Sequence, residues 1–204
     1  MKQGFVKVAS ATPRIRVADP VYNAQVICEQ AKEAAEHGAK IVVFPELCIT
    51  GYTCNDLFLQ ELLLEKAKEA LLTIAEETGQ LETLFLVGLP VDKDGRLYNV
   101  AAVLYRGRIL GMIPKKNIPM YAEFYEGRHF TPGEETVTEY RLGKQVIPFG
   151  SNLLFRCEEL PELILGCELC EDLWVAEPPS TSHALMGATV IANLSASNET
   201  VSKD

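Results

Sequence analysis

Apolar positions along this chain follow two different periods. In the first half they recur at helical spacing over two stretches, residues 20–37 and 56–77. The first stretch has Asp19 as an N-cap, Pro20 at the first helical position and Gly38 after its end. Around these helices lie short apolar runs of the kind that is buried on both faces of a sheet. We predict strands there over 5–9, 41–44 and 84–88.

The pattern changes after a turn at Asp92–Gly95. Apolar runs over 97–104 and 109–113 are joined by Arg106–Gly107, and so short a connection predicts an antiparallel pair. Residues 115–135 are irregular and rich in proline, glycine and aromatic residues, and such a stretch is usually functional. The remaining predicted elements are strands around 146–147, 153–155 and 163–165, a helix near 180–186 and a buried strand over 189–193. This order predicts an α/β fold in which two sheets pack together with helices outside them.

Composition narrows the classes of function. The chain has 204 residues, 48% of them hydrophobic, so residues 1–204 can form one domain with a substantial core. A net charge of −9 argues against nucleic-acid partners, which require clustered positive charge. No uncharged apolar run approaches about 20 residues and no signal peptide is apparent, so we expect no membrane span and a cytoplasmic protein. Only Ser195–Asp204 follow the last strand, so we expect a fold truncated at its C-terminus.

Six cysteines fit a cytoplasmic protein only if they are reduced. Two pairs, Cys48 with Cys54 and Cys167 with Cys170, could be drawn as a zinc or redox site. The first spacing is wide for zinc ligands and a redox C-x-x-C normally opens a helix, so we expect no metal. Cys170 is distinct, because it lies between an apolar run and an acidic, aromatic turn, where a cysteine makes poor core filling. A Cys/His protease is a weaker alternative, because no histidine follows an apolar strand; the histidines are His37, His129 and His183.

Two charged residues are placed to assist a nucleophilic cysteine. Glu46 follows an apolar strand and Pro45, so it emerges at the strand end where α/β sheets usually carry active sites. Apolar surroundings would raise the pKa of its carboxyl group, which suits a general base. Lys115 follows a strand and Pro114, and its ammonium group would stabilise a thiolate or an oxyanion. The pattern alone leaves open a solvated acid at Glu46, and whether Lys115 or Lys116 points inward.

Three segments resemble, in this order, the motif regions of the nitrilase (carbon–nitrogen hydrolase) superfamily. They are Phe44–Leu47, Pro114–Pro119 and Cys170–Trp174. The resemblance spans nearly the whole chain and implies a nitrilase-like αββα sandwich with a Glu-Lys-Cys triad. It also implies an enzyme that breaks carbon–nitrogen bonds through a thioester.

The resemblance assigns a role to each matched residue. It implies that Glu46 is the general base, Lys115 the stabiliser of the transition state and Cys170 the nucleophile. Glu126 matches the second, supporting glutamate of the superfamily. Such enzymes commonly form homo-oligomers, so a homo-oligomer is expected.

Further stretches are similar to one branch of the superfamily, the N-terminal glutaminase domain of glutamine-dependent NAD(+) synthetases. These stretches are residues 46–52, 55–60, 121–126 and 192–197. In that branch the domain hydrolyses glutamine and passes ammonia to a C-terminal domain, which amidates adenylylated nicotinic acid adenine dinucleotide. The resemblance implies that glutamine is contacted by Tyr121, Glu171 and Ser197, with Tyr52 near the site.

The synthetase domain itself is not expected within these residues. Its Ser-Gly-Gly-x-Asp type of phosphate loop does not occur in the sequence. The resemblance therefore implies no cofactor for the amidase step, with ATP and Mg belonging to a synthetase domain of the parent chain. Two alternatives stay open: a free-standing amidase or carbamoylase acting on a small amide, and a non-catalytic fragment that requires a partner or further residues.

Overall fold

A computed structural model of the chain describes residues 4–198. Its α-helices are α1 (Pro20–Glu36), α2 (Glu61–Glu77) and α3 (Pro179–Leu185). The Asp19 carboxylate accepts a hydrogen bond from the Tyr22 N–H at the start of α1, as an N-cap does. No helix within residues 4–198 is long and apolar enough to cross a membrane.

The predicted start of the second helix is wrong. Residues Tyr52–Leu59 form 3₁₀ turns instead, and α2 begins only at Glu61. The turns are interrupted at Asn55, whose φ of 49° and ψ of −132° no helix can contain. Apolar spacing continues through this stretch, so periodicity alone does not reveal the break.

The strands form two sheets. They are β1 (Val8–Ser10), β2 (Ile41–Val43), β3 (Leu84–Lys93), β4 (Arg96–Tyr105), β5 (Arg108–Pro114), β6 (Thr138–Leu142), β7 (Gln145–Phe149), β8 (Leu154–Arg156), β9 (Ile164–Leu169) and β10 (Val190–Leu194). Seven of them form one sheet in the order β1-β2-β3-β4-β5-β7-β6, and the other three form a second sheet in the order β10-β9-β8. The predicted antiparallel pairing of β4 with β5 is confirmed. Strand β6 was not predicted, because only two of its five residues, Tyr140 and Leu142, are apolar and buried.

Two apolar layers hold the sheets and helices together. On one face of the large sheet, Ile27 of α1 and Leu71 of α2 pack in a common core with Val87 of β3. On the opposite face, Ala101 of the large sheet shares a core with Leu169 of the small one. The order of layers is therefore helices, large sheet, small sheet.

The fourth layer is α3, which covers the outer face of the small sheet. Gly166 of β9 permits this contact, because a Cβ atom there would lie 2.9 Å from the His183 Nδ1 of α3. The predicted αββα sandwich is thus confirmed. Three of its strands, β2, β5 and β9, end immediately before the segments that carry Glu46, Lys115 and Cys170.

Candidate active site

Glu46 leaves β2 in a tight turn that a neighbouring glycine makes room for. A Cβ atom on Gly88 of β3 would lie 2.3 Å from the Leu47 nitrogen and 2.6 Å from the Pro45 oxygen. Leu47 itself has a φ of 52°, which reverses the chain after the glutamate. Ile49 then donates its N–H to the Gly88 carbonyl over 3.1 Å, which fixes the turn against β3. The Glu46 side chain is buried as a result.

Lys115 points inward from the end of β5, and Lys116 does not. The Lys115 backbone is held by the Asn99 carbonyl at 2.8 Å and the Gly133 N–H at 2.7 Å. Its side chain is fully buried, and Nζ lies 2.6 Å from an oxygen of each of two carboxylates, Glu46 and Glu126. The ammonium of Lys116 instead pairs with an exposed glutamate near the surface. The structure thereby resolves which lysine faces the site.

Asn99 and Tyr52 complete the shell around the lysine. The Asn99 amide donates to Glu46 Oε1 over 2.7 Å and to Glu126 Oε2 over 3.3 Å. The Tyr52 hydroxyl donates to Glu126 Oε1 over 2.8 Å. Asn99 was not among the predicted site residues, although an asparagine inside the apolar run of β4 is a signal for it. Lys115, Glu126 and Tyr52 thus form one connected network with Glu46.

Burial dominates the electrostatics of this network. It raises the pKa of the Glu46 carboxyl group, although the Lys115 ammonium opposes the shift. Burial alone would lower the pKa of Lys115, but Glu46 and Glu126 together raise it. The pKa of Tyr52 is raised by burial and by the Glu126 carboxylate that it bonds. A carboxyl group with a raised pKa beside a charged lysine has the properties of a general base.

Cys170 lies at the end of β9 in a strained turn. Its φ is 42°, in the left-handed region that non-glycine residues seldom adopt, and it begins a 3₁₀ helix over Cys170–Trp174. Unlike the exposed turn residues with positive φ, Cys170 is buried, and strained backbone of this kind is concentrated at functional sites. The side chain is 7% exposed, compared with 0% for Cys167, which lies in the core between the sheets.

The three predicted triad residues come together. Burial raises the pKa of the Cys170 thiol to about 11; the charge of Glu46 adds to this rise, and that of Lys115 opposes it. Hydrogen bonding with the Ser195 side chain and with the Ala196 backbone also acts to lower the pKa of this thiol. The same Ala196 N–H donates to Glu46 Oε2 over 3.3 Å. The residues after β10 therefore lie against both the thiol and the carboxylate.

Two of the residues predicted to bind substrate form a pair at the mouth of the site. The Tyr121 hydroxyl donates to Glu171 Oε2 over 2.7 Å, and Glu171 directly follows Cys170. Tyr121 is exposed and Glu171 half-buried, so both are accessible. Tyr52 instead bonds the lysine network, as described above. Ser197 is exposed and follows Ala196, which bonds Glu46.

The alternative sites drawn from the sequence are not assembled. Cys48 and Cys54 donate their thiols to the carbonyls of Gly88 and Thr50. Between residues 4 and 198, no three histidine, cysteine or acidic side chains are grouped as metal ligands. His183 is buried with Nε2 3.0 Å from the Ser151 carbonyl, in the manner of a packed core residue.

Comparison with known proteins shows the family to which the chain belongs. The family described as carbon-nitrogen hydrolase matches residues 7–203. The glutamine-dependent NAD(+) synthetase of Mycobacterium tuberculosis is 41% identical over 202 residues, which cover 99% of this chain and 30% of that protein. The crystal structure of a glutamine-dependent NAD(+) synthetase from Cytophaga hutchinsonii superposes with a TM-score of 0.85 at 29% identity, covering 97% of this chain and 32% of that one.

An amidase from Nesterenkonia shares the fold. Its structure superposes with a TM-score of 0.68 at 22% identity, and covers 93% of this chain and 64% of that one. The chain thus spans about a third of the length of the synthetases that it matches, whose N-terminal region it resembles.

Proposed function

The chain belongs to the carbon–nitrogen hydrolase family, and we propose that it hydrolyses the side-chain amide of glutamine through a thioester on Cys170. The observation that carries this proposal is the buried Lys115 ammonium, which lies 2.6 Å from both Glu46 and Glu126. Its charge also acts to lower the pKa of the Cys170 thiol. A nucleophile, a base and a fixed positive charge are the groups that amide hydrolysis requires.

In the proposed reaction, Cys170 Sγ attacks the carboxamide carbon while its proton passes to Glu46. Lys115 and a backbone N–H stabilise the tetrahedral oxyanion. Glu46 then protonates the leaving nitrogen, so that ammonia departs and a γ-glutamyl thioester remains. Glu46 next takes a proton from the attacking water, and that proton returns to the sulfur when glutamate leaves.

One oxygen of Glu46 is better suited to carry the proton. Oε1 accepts hydrogen bonds from Lys115 at 2.6 Å and from Asn99 at 2.7 Å. Oε2 accepts the longer bond from Ala196, at 3.3 Å. Because Oε1 already has two strong donors, a new proton binds more readily to Oε2, and the Ala196 amide also bonds the Cys170 thiol. We propose Oε2 as the atom that receives the thiol proton.

Glutamine is the proposed substrate because of the groups beside the nucleophile. Glu171 carries a carboxylate one residue after Cys170, and Tyr121 holds it from across the site at 2.7 Å. A carboxylate in that position can pair with the α-ammonium group of an amino acid. Ser197 and Tyr52 are proposed to complete the substrate site. The names of the homologous synthetases support the same choice.

The product ammonia is proposed to serve ATP-dependent synthesis of NAD(+) from nicotinic acid adenine dinucleotide. That step would belong to a synthetase domain of the parent chain, which would use the ATP and Mg. The hydrolysis described above requires no cofactor. Homo-oligomerisation and a cytoplasmic location remain predictions.

Mass spectrometry with a glutamine-like diazoketone tests the proposal. We expect one adduct per chain on Cys170, blocked by excess glutamine and absent from Cys170→Ala. Cys167→Ala is the matched control, because its thiol lies three residues away in the core and should be dispensable. Hydrolysis of small amides without hydrolysis of glutamine would favour the alternative amidase. A folded protein without any adduct would favour the non-catalytic fragment.

A further inference from the structure

A buried carboxylate that the proposed mechanism does not use connects the two loops that carry Lys115 and Cys170. Asp172 lies two residues after the nucleophile, and its side chain is 1% exposed. Its oxygens accept four hydrogen bonds from N–H groups. The donors are Leu169 N at 3.1 Å, Lys116 N at 3.4 Å, Asn117 N at 2.7 Å and Asn117 Nδ2 at 2.9 Å.

The first of these bonds closes the strained turn of the nucleophile. Leu169 precedes Cys170 and Asp172 follows it, so the bond from the Leu169 N–H spans the residue with φ 42°. A non-glycine residue in the left-handed region is strained and persists only where its surroundings hold it there. Asp172 holds the turn in this conformation by accepting the bond from Leu169.

The other bonds reach across to the lysine loop. Lys116 and Asn117 directly follow Lys115, and their N–H groups point at the same carboxylate. The lysine loop continues from the large sheet and the cysteine turn from the small sheet, so this contact ties the active-site ends of the two sheets together.

The chemistry of this contact requires a carboxylate. All four partners are donors, and a carboxylate offers two acceptor oxygens and no proton of its own. An asparagine of the same shape would place an NH₂ group against at least one N–H and leave a buried donor unpaired. Burial raises the pKa of the Asp172 carboxyl group, while the hydrogen bonds from Leu169, Asn117 and Lys116 act to lower it.

We propose that Asp172 is a positioning residue that sets the separation between the Cys170 thiol and the Lys115 ammonium. It touches neither substrate nor reacting atoms and acts through the backbones of both loops. Lys115 is held by Glu46 and Glu126, so the part that Asp172 fixes is the cysteine turn relative to this cluster. The consequence for turnover rests on the function proposed above, whereas the placement of the thiol does not.

Alkylation of Cys170 by iodoacetamide across pH, together with glutamine kinetics, tests this role. The groups that act on the thiol through their charge or hydrogen bonds are Glu46, Lys115, Tyr52, Tyr121, Ser195 and the backbone of Ala196. In Asp172→Asn we expect faster alkylation at each pH below the thiol pKa, because the turn is displaced from the whole cluster and Glu46, which raises that pKa, outweighs Lys115, which lowers it. We also expect kcat to fall about 100-fold with KM within about threefold, since misplacement by about 1 Å has that cost.

Glu168→Gln is the matched control. Glu168 is also a buried carboxylate two residues from Cys170, but it accepts bonds from Ser180 and Asn193, away from the lysine loop. Its alkylation profile should match that of the wild type. Equal profiles and kcat values for Asp172→Asn and Glu168→Gln, both folded by circular dichroism, would overturn the proposal.

A second variant, Asn117→Ala, tests the same contact if Asp172→Asn does not fold. Asn117→Ala retains Asp172 and its bond to Leu169, and removes one donor at 2.9 Å on the lysine side. We expect kcat to fall about tenfold, which corresponds to the loss of one hydrogen bond to a charged group, and alkylation of Cys170 to be faster than in the wild type. Unchanged alkylation and kcat in Asn117→Ala would contradict the proposal. A wild type inactive on glutamine whose alkylation still depends on Asp172 would refute the proposed function alone.

Discussion

Replacement of Lys115 by methionine should destabilise the fold strongly. Methionine fills nearly the same volume but removes an ammonium group that is 0% exposed and lies 2.6 Å from Glu46 and from Glu126. Removing one partner of a buried ion pair typically costs about 3–5 kcal/mol, because the other charge stays buried without compensation. Here two carboxylates lose their cation, so we expect a loss in the upper half of that range. Typical domains have only about 5–15 kcal/mol to lose.

Lys116→Met is the matched control, one residue further along the chain. Its ammonium is 35% exposed and pairs at 2.5 Å with Glu135, which is 57% exposed. Surface pairs of this kind contribute about 0.2–1 kcal/mol. The two variants undergo the same chemical change, so the difference between them isolates the buried cluster. Urea denaturation followed by circular dichroism at 25 °C gives both free energies of unfolding.

The difference should also depend on pH, with a definite sign. Burial holds the pKa of Glu46 above its ordinary value while Lys115 lowers it, so the methionine variant should have a still higher pKa there. A folded state with the higher carboxyl pKa binds more protons than the unfolded chain, so stability falls as pH rises. The slope reaches about 1.4 kcal/mol per pH unit for one group. The free energies of unfolding of Lys115→Met and Lys116→Met should therefore differ least near pH 5 and most near pH 8.

Two results would refute this reasoning. One is a free energy of unfolding for Lys115→Met within about 1 kcal/mol of that for Lys116→Met at pH 7. The other is a difference between the two variants that is constant from pH 5 to pH 8. Either result would mean that Glu46 and Glu126 find other compensation once the ammonium is absent.

Three further changes test separate parts of the site. Gly88→Ala places a Cβ 2.3 Å from the backbone of the Glu46 turn, so the free energy of unfolding in urea should fall by at least about 1–3 kcal/mol and diazoketone labelling should be lost. Full labelling would contradict the close packing of Gly88 against that turn. Tyr52→Phe removes a 2.8 Å donor to Glu126 and should cost about 1.5–3 kcal/mol, whereas a change below about 0.5 kcal/mol would exclude that bond. Alkylation of Cys170 should rise about tenfold per pH unit from pH 7 to 9.5, because its thiol pKa is about 11, and a plateau below pH 9 would contradict the pKa.

The residues that could be predicted from sequence are those whose position follows from a single strand. Glu46, Lys115 and Cys170 each follow an apolar run, and strand ends are where α/β sheets collect functional groups. The same local signals predicted α1 from its N-cap and the β4–β5 pair from its short connection. Local pattern was sufficient because each signal depends on neighbouring residues alone.

The parts that escaped prediction depend on contacts between distant segments. Asn99 reaches Glu46 only because β4 pairs with β5 and places its carbonyl against the Lys115 N–H. Gly88 appears in the sequence as one more residue of an apolar strand, and its necessity comes from the backbone of the Glu46 turn packed against it. Asp172 bonds Asn117, which lies 55 positions earlier in the chain. No local period encodes such contacts.

The charges around Cys170 favour proton transfer during attack over a thiolate formed beforehand. Cysteine enzymes that keep a thiolate lower the thiol pKa with a nearby cation. Here the thiol pKa is about 11, because burial and Glu46 outweigh Lys115, whose ammonium is shared between Glu46 and Glu126. A free thiolate would add negative charge to a buried cluster that already holds two carboxylates and one ammonium. In the proposed reaction, transfer of the proton to Glu46 as the sulfur attacks would keep the total charge constant and would leave Lys115 available to stabilise the oxyanion.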